Sequence, residues 1–137
     1  MRRIVCVVVA LCVAMIFVTS AMAAVPEQDI TPQYTYISKL SAGLTISDAT
    51  GISNCVGSCF APSADSVKLT CKLQRYTGSA WTTVKTWSAT AAHSTAITEQ
   101  YAVYSGYTYR VRITCSVYNA SGVLVESGTC YSHQVEY

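Results

Sequence analysis

The strongest constraint on the fold is the alternation of apolar and polar side chains in residues 103 to 123, VYSGYTYRVRITCSVYNASGV. A period of two is typical of a β-strand that buries one face. The alternation stops at Asn119-Ala120-Ser121-Gly122, where Asx in first place and Gly in fourth indicate a type I turn followed by a left-handed Gly bulge. The same chemistry recurs at Asp48-Ala49-Thr50-Gly51. Both segments therefore predict antiparallel hairpins.

Strand signals of this kind recur about every ten residues, which is the spacing of all-β sandwiches and barrels. No helical spacing of apolar residues persists for more than a turn. The predicted strands lie near 34–47, 52–60, 66–76, 81–89, 96–104, 107–118 and 123–132. The sequence therefore predicts an all-β domain with seven strands.

The N-terminal residues have the features of a cleaved secretory signal. Arg2 and Arg3 precede an apolar run from Ile4 to Val18, and Ala21-Met22-Ala23 supplies the small residues of a cleavage site. The run falls short of the ~20 apolar residues that a membrane-spanning helix needs. We expect a signal peptide at 1–23, a secreted, extracellular protein and no membrane association after cleavage.

Removal of the signal leaves 137 − 23 = 114 residues, enough for one domain with a single core. Residues 24–33 contain two prolines and no periodicity and are predicted to be an N-terminal linker, so the β-sandwich domain spans 34–137. The mature chain has seven basic and seven acidic side chains, because Arg2 and Arg3 leave with the signal. This balance makes nucleic acid an unlikely partner.

Two segments resemble fibronectin type III modules. Val103, Gly106 and Tyr109-Arg110-Val111-Arg112-Ile113 are similar to the entry to the sixth strand of such modules, and VKLTCKLQRYTGSAWTTVKTW resembles their third-strand hairpin. The run LQRYTGSAWTTVKTWS, together with SGYTYRVRIT and GVLVES, also resembles short secreted β-sandwich proteins of Gram-positive bacteria. The resemblance implies a seven-stranded Ig/fibronectin-III-like antiparallel β-sandwich and brings no catalytic residues. It also implies that Tyr109 packs inward while its hydroxyl bonds to backbone.

The alternation divides the strand side chains between a core face and an outer face. In the sixth strand Tyr109, Val111 and Ile113 are predicted to point inward, with the arginines between them pointing outward. The third, fourth and sixth strands share one sheet in this fold class. If Leu73 lies opposite Val84 across the intervening turn, one basic and aromatic binding face contains Lys68, Lys72, Tyr76, Trp81, Lys85, Trp87, Arg110 and Arg112.

This face has two interpretations. It is suited to an extracellular glycan, an anionic polymer or a protein partner. The alternative is ordinary surface, since long basic side chains commonly cover apolar sheet surface. In that alternative Trp87 folds over the sandwich edge into the core.

Five cysteines remain after signal removal, so at least one has no partner within the chain. The candidates for disulfide formation are Cys55, Cys59, Cys71 and Cys115. Cys55 and Cys59 lie ~13 Å apart in one strand and do not bridge each other. Cys71 and Cys115 are predicted to point inward. In the second strand two alternatives stay open, in which the core face contains either Cys55, Gly57 and Cys59 or Ile52, Val56 and Phe60.

Cys130 is predicted to be the free or intermolecular cysteine. If residues 119 and 123 oppose each other in the turn, paired positions sum to 242. Val117 then lies opposite Val125 on the core side. The same register places Cys130 opposite Arg112 on the outer face, where no other cysteine is available.

No catalytic, metal or cofactor site is predicted. His93 and His133 stand in no recognisable catalytic motif with any cysteine, and a thiol nucleophile needs a base within hydrogen-bond reach. Cys55, Cys59 and His133 form a poor metal-binding pattern, because structural zinc sites usually show two close ligand pairs.

The leading hypothesis is therefore a secreted, non-enzymatic β-sandwich module that binds an unidentified partner. The alternative is a structural or assembly protein of the extracellular space that is linked through cysteine.

Overall fold

The computed structural model of the chain describes residues 33–137. These residues belong to one compact unit of the chain. The predicted signal peptide and all of the predicted linker except Gln33 lie outside the described residues. No helix long and apolar enough to cross a membrane occurs in the described part of the chain.

The described residues form an all-β structure with seven main strands, as predicted. A short eighth strand, absent from the prediction, follows them. The first strand begins five residues later than predicted, and the fifth begins two residues earlier. The strands are β1 Lys39–Ile46, β2 Ile52–Phe60, β3 Ser66–Tyr76, β4 Trp81–Ala91, β5 Ser94–Ala102, β6 Thr108–Tyr118, β7 Leu124–Tyr131 and β8 Val135–Glu136.

The strands are divided between two antiparallel sheets in a sandwich-like arrangement. The smaller sheet has the order β1-β2-β5, and the larger sheet has the order β4-β3-β6-β7, with β8 paired to β6. The predicted placement of β3, β4 and β6 in one sheet is therefore confirmed. β3 and β6 are the central strands of the larger sheet, and β4 and β7 are its edge strands.

The core lies between the two sheets and is built from alternate residues of the central strands. Val67, Leu69, Cys71 and Leu73 of β3 are buried, as are the odd-numbered residues of β6 from Tyr109 to Val117. This parity agrees with the predicted core faces of both strands.

Tyr109 lies at the start of β6 and ties the core to the preceding loop. Its side chain is only 1% exposed. Its hydroxyl donates a hydrogen bond of 2.7 Å to the carbonyl oxygen of Tyr104. The expected inward packing and backbone hydrogen bond are both present.

The ambiguity in β2 is resolved in favour of the cysteines. Cys55, Gly57 and Cys59 point into the core, whereas Val56 and Phe60 are exposed. Gly57 leaves space for Ile113 of the opposite sheet, because a Cβ atom built on Gly57 would lie 2.3 Å from the Ile113 Cδ1 atom. Any side chain at position 57 would collide with Ile113 and push the sheets apart, so this close approach needs glycine.

The turn between β6 and β7 has the predicted geometry, but β7 does not keep the predicted register. Gly122 has a φ of 77°, and the Asn119 amide donates to the Val123 carbonyl oxygen at 3.0 Å. Beyond the pair Tyr118 and Leu124, the register shifts by one residue, so that Glu126 rather than Val125 lies opposite Val117. The prediction that Val125 faces the core is wrong, because this bulge turns Val125 outward, where it is exposed.

The bulge places Glu126 against the segment that precedes β1. Its carboxylate accepts hydrogen bonds from the backbone amides of Thr35 at 2.6 Å, Tyr36 at 2.9 Å and Ile37 at 2.8 Å. Desolvation alone would raise the pKa of Glu126, but these three hydrogen bonds together lower it, and the pKa lies below its ordinary value. The segment is thereby attached to edge strand β7.

Candidate functional site

The candidate site is the outer face of the larger sheet, the side that points away from the core. Six of the eight predicted binding residues lie there. Register places Lys72 opposite Arg112, Tyr76 opposite Trp81, and Lys68 opposite Ser116, all on the same side. Arg110 shares this side, because it is two residues from Arg112 in β6.

The other two predicted residues, Lys85 and Trp87, do not lie on the outer face. The register of β3 and β4 shifts between Leu73 and Gln74, so that Leu73 lies opposite Lys85 rather than Val84. Val84 is the extra residue of a bulge, and beyond it every side chain of β4 points to the opposite side from the predicted one. Lys85 and Trp87 consequently share the side of the buried residues Leu73 and Cys71.

Trp87 is half-buried and packs against the core. Its ring makes an edge-to-face contact with Tyr101 of β5, with ring centroids 6.3 Å apart. The Lys85 Nζ atom lies 6.0 Å from the centroid of the same Tyr101 ring. The alternative in which Trp87 folds over the sandwich edge into the core is therefore the correct one for this residue.

At one end of the outer face, four side chains form an aromatic–arginine ladder, which consists of Tyr76, Trp81, Arg110 and Tyr131. The guanidinium carbon of Arg110 lies 4.1 Å from the Trp81 ring centroid and 4.4 Å from the Tyr131 ring centroid. Tyr76 and Trp81 have centroids 5.2 Å apart with their planes tilted by 44°. Cation–π contacts of this kind contribute ~0.5 to 2 kcal/mol each, depending on exposure.

Arg110 is held in the ladder by a hydrogen bond as well as by the two rings. Its Nε atom donates to the Gln74 Oε1 atom at 2.9 Å. Gln74 is only 6% exposed although it points to the outer face, so neighbouring side chains cover it. Arg110 therefore has a defined structural role, and its contribution to ligand binding is limited to the edge of its guanidinium group.

Sequence reasoning missed Tyr131 as a member of the ladder and Gln74 as the hydrogen-bond partner of Arg110. The predicted β7 register placed Cys130 opposite Arg112, whereas Tyr131 occupies that position. No local signal marks the bulge near Val125, because the alternation of β7 fits either register.

The centre of the outer face has a basic pair, Lys72 and Arg112. The two residues are direct cross-strand partners. Like charges in this position repel each other and destabilise a sheet. The Arg112 Nε atom is also buried, with no hydrogen-bond partner among residues 33–137. An unmade hydrogen bond at a buried donor costs ~1 to 3 kcal/mol, and more for a charged group.

Hydroxyl groups occupy the outer face beside the basic pair. Thr70 and Ser88 have their hydroxyl oxygens 3.5 Å apart, and Thr114 and Thr129 have theirs 3.4 Å apart. Each hydroxyl is both a donor and an acceptor. The face thus combines fixed positive charge with polar groups that suit an oxygen-rich ligand.

The cysteines lie away from this face. Cys59 of β2 is bonded to Cys115 of β6, with Cα atoms 6.5 Å apart, so the disulfide connects the two sheets through the core. Of the four predicted disulfide candidates, Cys55 and Cys71 are unbonded and fully buried. Burial, with smaller contributions from Cys55 and Glu99, raises the pKa of Cys71 to about 12. Burial also raises the pKa of Cys55, although Ser53 opposes it.

Cys130 is unbonded and half-buried, but its predicted position is wrong. It lies opposite Ile113 and packs against the core, whereas the prediction placed it opposite Arg112 on the outer face. The one-residue shift in β7 accounts for the change of side. Burial raises the pKa of Cys130, which lowers its thiolate fraction and its reactivity.

Within the described residues, no group of three His, Cys, Asp or Glu side chains comes close enough to hold a metal ion. His93 lies between β4 and β5 with a φ of 53°, and His133 is exposed between β7 and β8. Both histidines are on loops at the edge of the sandwich.

No protein-family model matches the chain, and no curated protein matches it either. Any assignment of function therefore depends on the geometry of the outer face.

Proposed function

We propose that the chain is a secreted, non-enzymatic binding module whose outer face binds an anionic extracellular polymer. The observation that carries this proposal is the basic pair, in which two like charges face each other and the Arg112 Nε atom lacks a hydrogen-bond partner among the described residues. A carboxylate, sulfate or phosphate group bound there offsets the repulsion and accepts hydrogen bonds from the Arg112 guanidinium group, since the Arg112 side chain is partly exposed.

The assignment to the fibronectin-III-like class is part of the proposal. It is supported by the division into a three-stranded and a larger sheet, and by the pairing of β4 with β3. In constant-type immunoglobulin domains the fourth strand instead belongs to the sheet of the first two strands. The disulfide between β2 and β6 and the Tyr109 hydroxyl bond to backbone are features that immunoglobulin-like sandwiches share.

Secretion is supported by the basic and apolar start of the sequence and by the disulfide, since such bonds persist in oxidising compartments. The absence of a catalytic role is part of the same proposal. The unbonded cysteines are buried or half-buried with raised pKa values, which is the opposite of an activated nucleophile.

An anionic polymer fits this face better than single-stranded nucleic acid does. Nucleic acid is bound by aromatic rings on which bases stack. The Trp81 ring is in contact with Arg110 and Tyr76, and Arg110 also covers one side of Tyr131. The rings of the ladder are thus used within the protein.

The experiment compares two double variants that remove the same charge. Lys72→Gln with Arg112→Gln removes the basic pair, whereas Lys39→Gln with Lys85→Gln removes two basic residues that lie off the outer face. Binding of heparin, polygalacturonate and polyphosphate is measured by calorimetry at low salt. We expect the basic-pair variant to bind at least one of these polymers about tenfold more weakly than wild type, a loss of ~1.4 kcal/mol. We expect the control variant to bind as wild type does.

The affinity of wild type is also expected to fall as salt is added, because exposed charges are screened within ~10 Å at 0.1 M ionic strength. Equal losses of affinity in the two double variants would contradict the proposal, because binding would then depend on net charge and not on the basic pair. If wild type binds none of the three polymers, the proposal is refuted.

A further inference from the structure

A cleft lies at one end of the sandwich, where the β3–β4 turn and the β5–β6 loop meet strand β8. Its volume is about 670 Å³. Small-molecule sites typically enclose ~300 to 1,000 Å³. The walls include Tyr76, Tyr107, Tyr137, Glu136, Gly78 and Gly106. The cleft is thus large enough for one or two sugar rings, and Tyr76 and Tyr107 supply its aromatic side chains, because the Tyr137 ring lies against Gly51.

The walls are fixed by backbone hydrogen bonds. The Tyr107 amide donates to the Tyr137 carbonyl oxygen at 3.1 Å, and the Tyr137 amide donates to the Tyr107 carbonyl oxygen at 3.0 Å. The Tyr76 hydroxyl donates to the Gly78 carbonyl oxygen at 3.0 Å. These bonds fix the backbone of the cleft lining and the Tyr76 ring before any ligand arrives, which reduces the entropy lost on binding.

Two glycines contribute to the lining of the cleft. Gly78 and Gly106 have φ values of 92° and 88°, a backbone conformation that other residues rarely adopt. A Cβ atom at either position would meet nothing within 4 Å. The turns therefore need glycine for their conformation, and the space next to them is free for a ligand.

The charges around the cleft argue against a charged ligand. The guanidinium carbon of Arg75 lies 4.5 Å from the Tyr107 ring centroid, so this ring already has a cation over one face and a cationic ligand would be repelled. Glu136 lines the cleft and repels an anion. An uncharged ligand with flat apolar faces and many hydroxyl groups satisfies both conditions.

From this geometry we infer that the cleft is a binding site for an uncharged sugar residue. The apolar C–H face of the pyranose ring packs against the tyrosine rings, as other apolar groups do against aromatic side chains. The sugar hydroxyls donate to the Glu136 carboxylate and to the Thr77 hydroxyl oxygen, whose own proton is donated to the Ala80 carbonyl oxygen. They also exchange hydrogen bonds with the Thr108 hydroxyl.

The cleft and the outer face are contiguous, because Tyr76 lines the cleft and also begins the aromatic–arginine ladder. An anionic polysaccharide extends from one to the other, with a neutral residue in the cleft and an acidic group at the basic pair. This connection rests on the proposed function, whereas the sugar site itself does not, since a neutral oligosaccharide tests it alone.

The test uses Trp81 as a reporter, since it contacts Tyr76 at the edge of the cleft. In a Trp87→Phe background Trp81 is the only tryptophan, and its fluorescence is followed while cellohexaose, maltohexaose or tetra-N-acetylchitotetraose is added. The variants are Tyr107→Ala, which removes an aromatic wall, and Glu136→Gln, an exposed substitution that leaves the fold intact. The matched control is Tyr104→Ala, because Tyr104 is 77% exposed in the same loop and does not line the cleft.

We expect at least one oligosaccharide to change Trp81 fluorescence in a saturable way. Tyr107→Ala should weaken this binding by about tenfold or more, as loss of one stacked ring does elsewhere. Glu136→Gln should weaken it by about threefold or more through loss of charge-assisted hydrogen bonds. Tyr104→Ala should bind as wild type does.

Absence of a saturable change with all three sugars up to about 10 mM would overturn the proposal. Equal weakening by Tyr104→Ala would also overturn it, because the loop rather than the cleft would then carry the binding. The two proposals can fail separately. If wild type binds a neutral sugar but none of the polyanions, the proposed function fails and the sugar site stands. If wild type binds a polyanion but none of the neutral sugars, the sugar site fails and the proposed function stands.

Discussion

The central strands and the edge strands of the larger sheet differ in regularity. β3 and β6 keep one register over ten consecutive pairs, from Ser66 with Tyr118 to Arg75 with Tyr109. Each edge strand has a bulge, at Val84 in β4 and at Val125 in β7. The central strands are buried on the core side and bonded on both edges, so a slip would move every core side chain to solvent. Edge strands lack that constraint, and bulges are common there.

This difference decides the composition of the outer face. The central strands supply Lys68, Lys72, Arg110 and Arg112 in the predicted orientation. The bulges move Lys85 and Trp87 off the face in β4 and bring Tyr131 onto it in β7. The ladder thus combines Tyr76 and Arg110 of the regular strands with Trp81 and Tyr131 of the bulged strands. The basic pair lies wholly on regular strands.

The largest expected effect concerns the central strand β6. Tyr109→Ala should lower the free energy of unfolding by ~3 to 5 kcal/mol, because it leaves a cavity in the core. Tyr109→Phe should cost only ~1 kcal/mol, for the hydroxyl bond to Tyr104. Urea denaturation measures both. A loss below ~1 kcal/mol for Tyr109→Ala would contradict the core position of this residue.

The next effect concerns the disulfide, which joins β2 to central strand β6. Replacement of Cys59 and Cys115 by serine frees a segment with a sequence separation of 56 residues. The expected loss is ~2 to 4 kcal/mol. The control is Cys130→Ser, which removes an unbonded, half-buried thiol and should cost less. Mass spectrometry after alkylation should find the Cys59–Cys115 disulfide and free thiols at Cys55, Cys71 and Cys130.

The two tryptophans of edge strand β4 test the bulge directly. Trp87→Ala should cost ~1.5 to 2.5 kcal/mol, less than for a fully buried aromatic, because Trp87 is half-buried against the core. Trp81→Ala should cost ~1 kcal/mol, for its contacts in the ladder. A loss for Trp87→Ala no larger than that for Trp81→Ala would indicate that β4 has the predicted register, in which both tryptophans face outward, instead of the bulged one.

The smallest effect concerns the bulge of β7 and depends on pH. The pKa of Glu126 is lower in the folded protein than in the unfolded chain, so its hydrogen bonds stabilise the fold fully above the unfolded pKa of ~4.3. That stabilisation is lost as the pH falls through the lower folded pKa. Urea denaturation of wild type and Glu126→Gln should differ most near neutral pH, and the difference should shrink in acid. A difference that does not depend on pH would mean that the charge of the Glu126 carboxylate does not strengthen its hydrogen bonds to the amides of residues 35 to 37.

Sequence patterns predicted the inner and outer faces of β3 and β6 because the apolar side is continuous from Val67 to Leu73 in β3 and from Tyr109 to Val117 in β6. They also predicted the Asn119 turn, whose Gly at the fourth position requires a positive φ. The first strand was predicted five residues too long at its start, because Tyr34 and Tyr36 continue the alternation while the backbone amides of residues 35 to 37 bond to the Glu126 carboxylate. β8 was missed because its two residues form a strand only by pairing with β6.

The amino-acid sequence by itself determined the strands, the turns and the core side of the central strands, because these depend on the alternation of neighbouring side chains and on glycine in tight turns. Only the tertiary structure decided the bulges of β4 and β7, the partner of Cys59, the orientation of Trp87 and the cleft beside Tyr107. Each of these depends on groups that are distant in the chain: Glu126 needs the amides of residues 35 to 37, Gly57 needs Ile113, and Trp87 needs Tyr101. Local alternation fits either register of an edge strand, and contacts across the sandwich select between them.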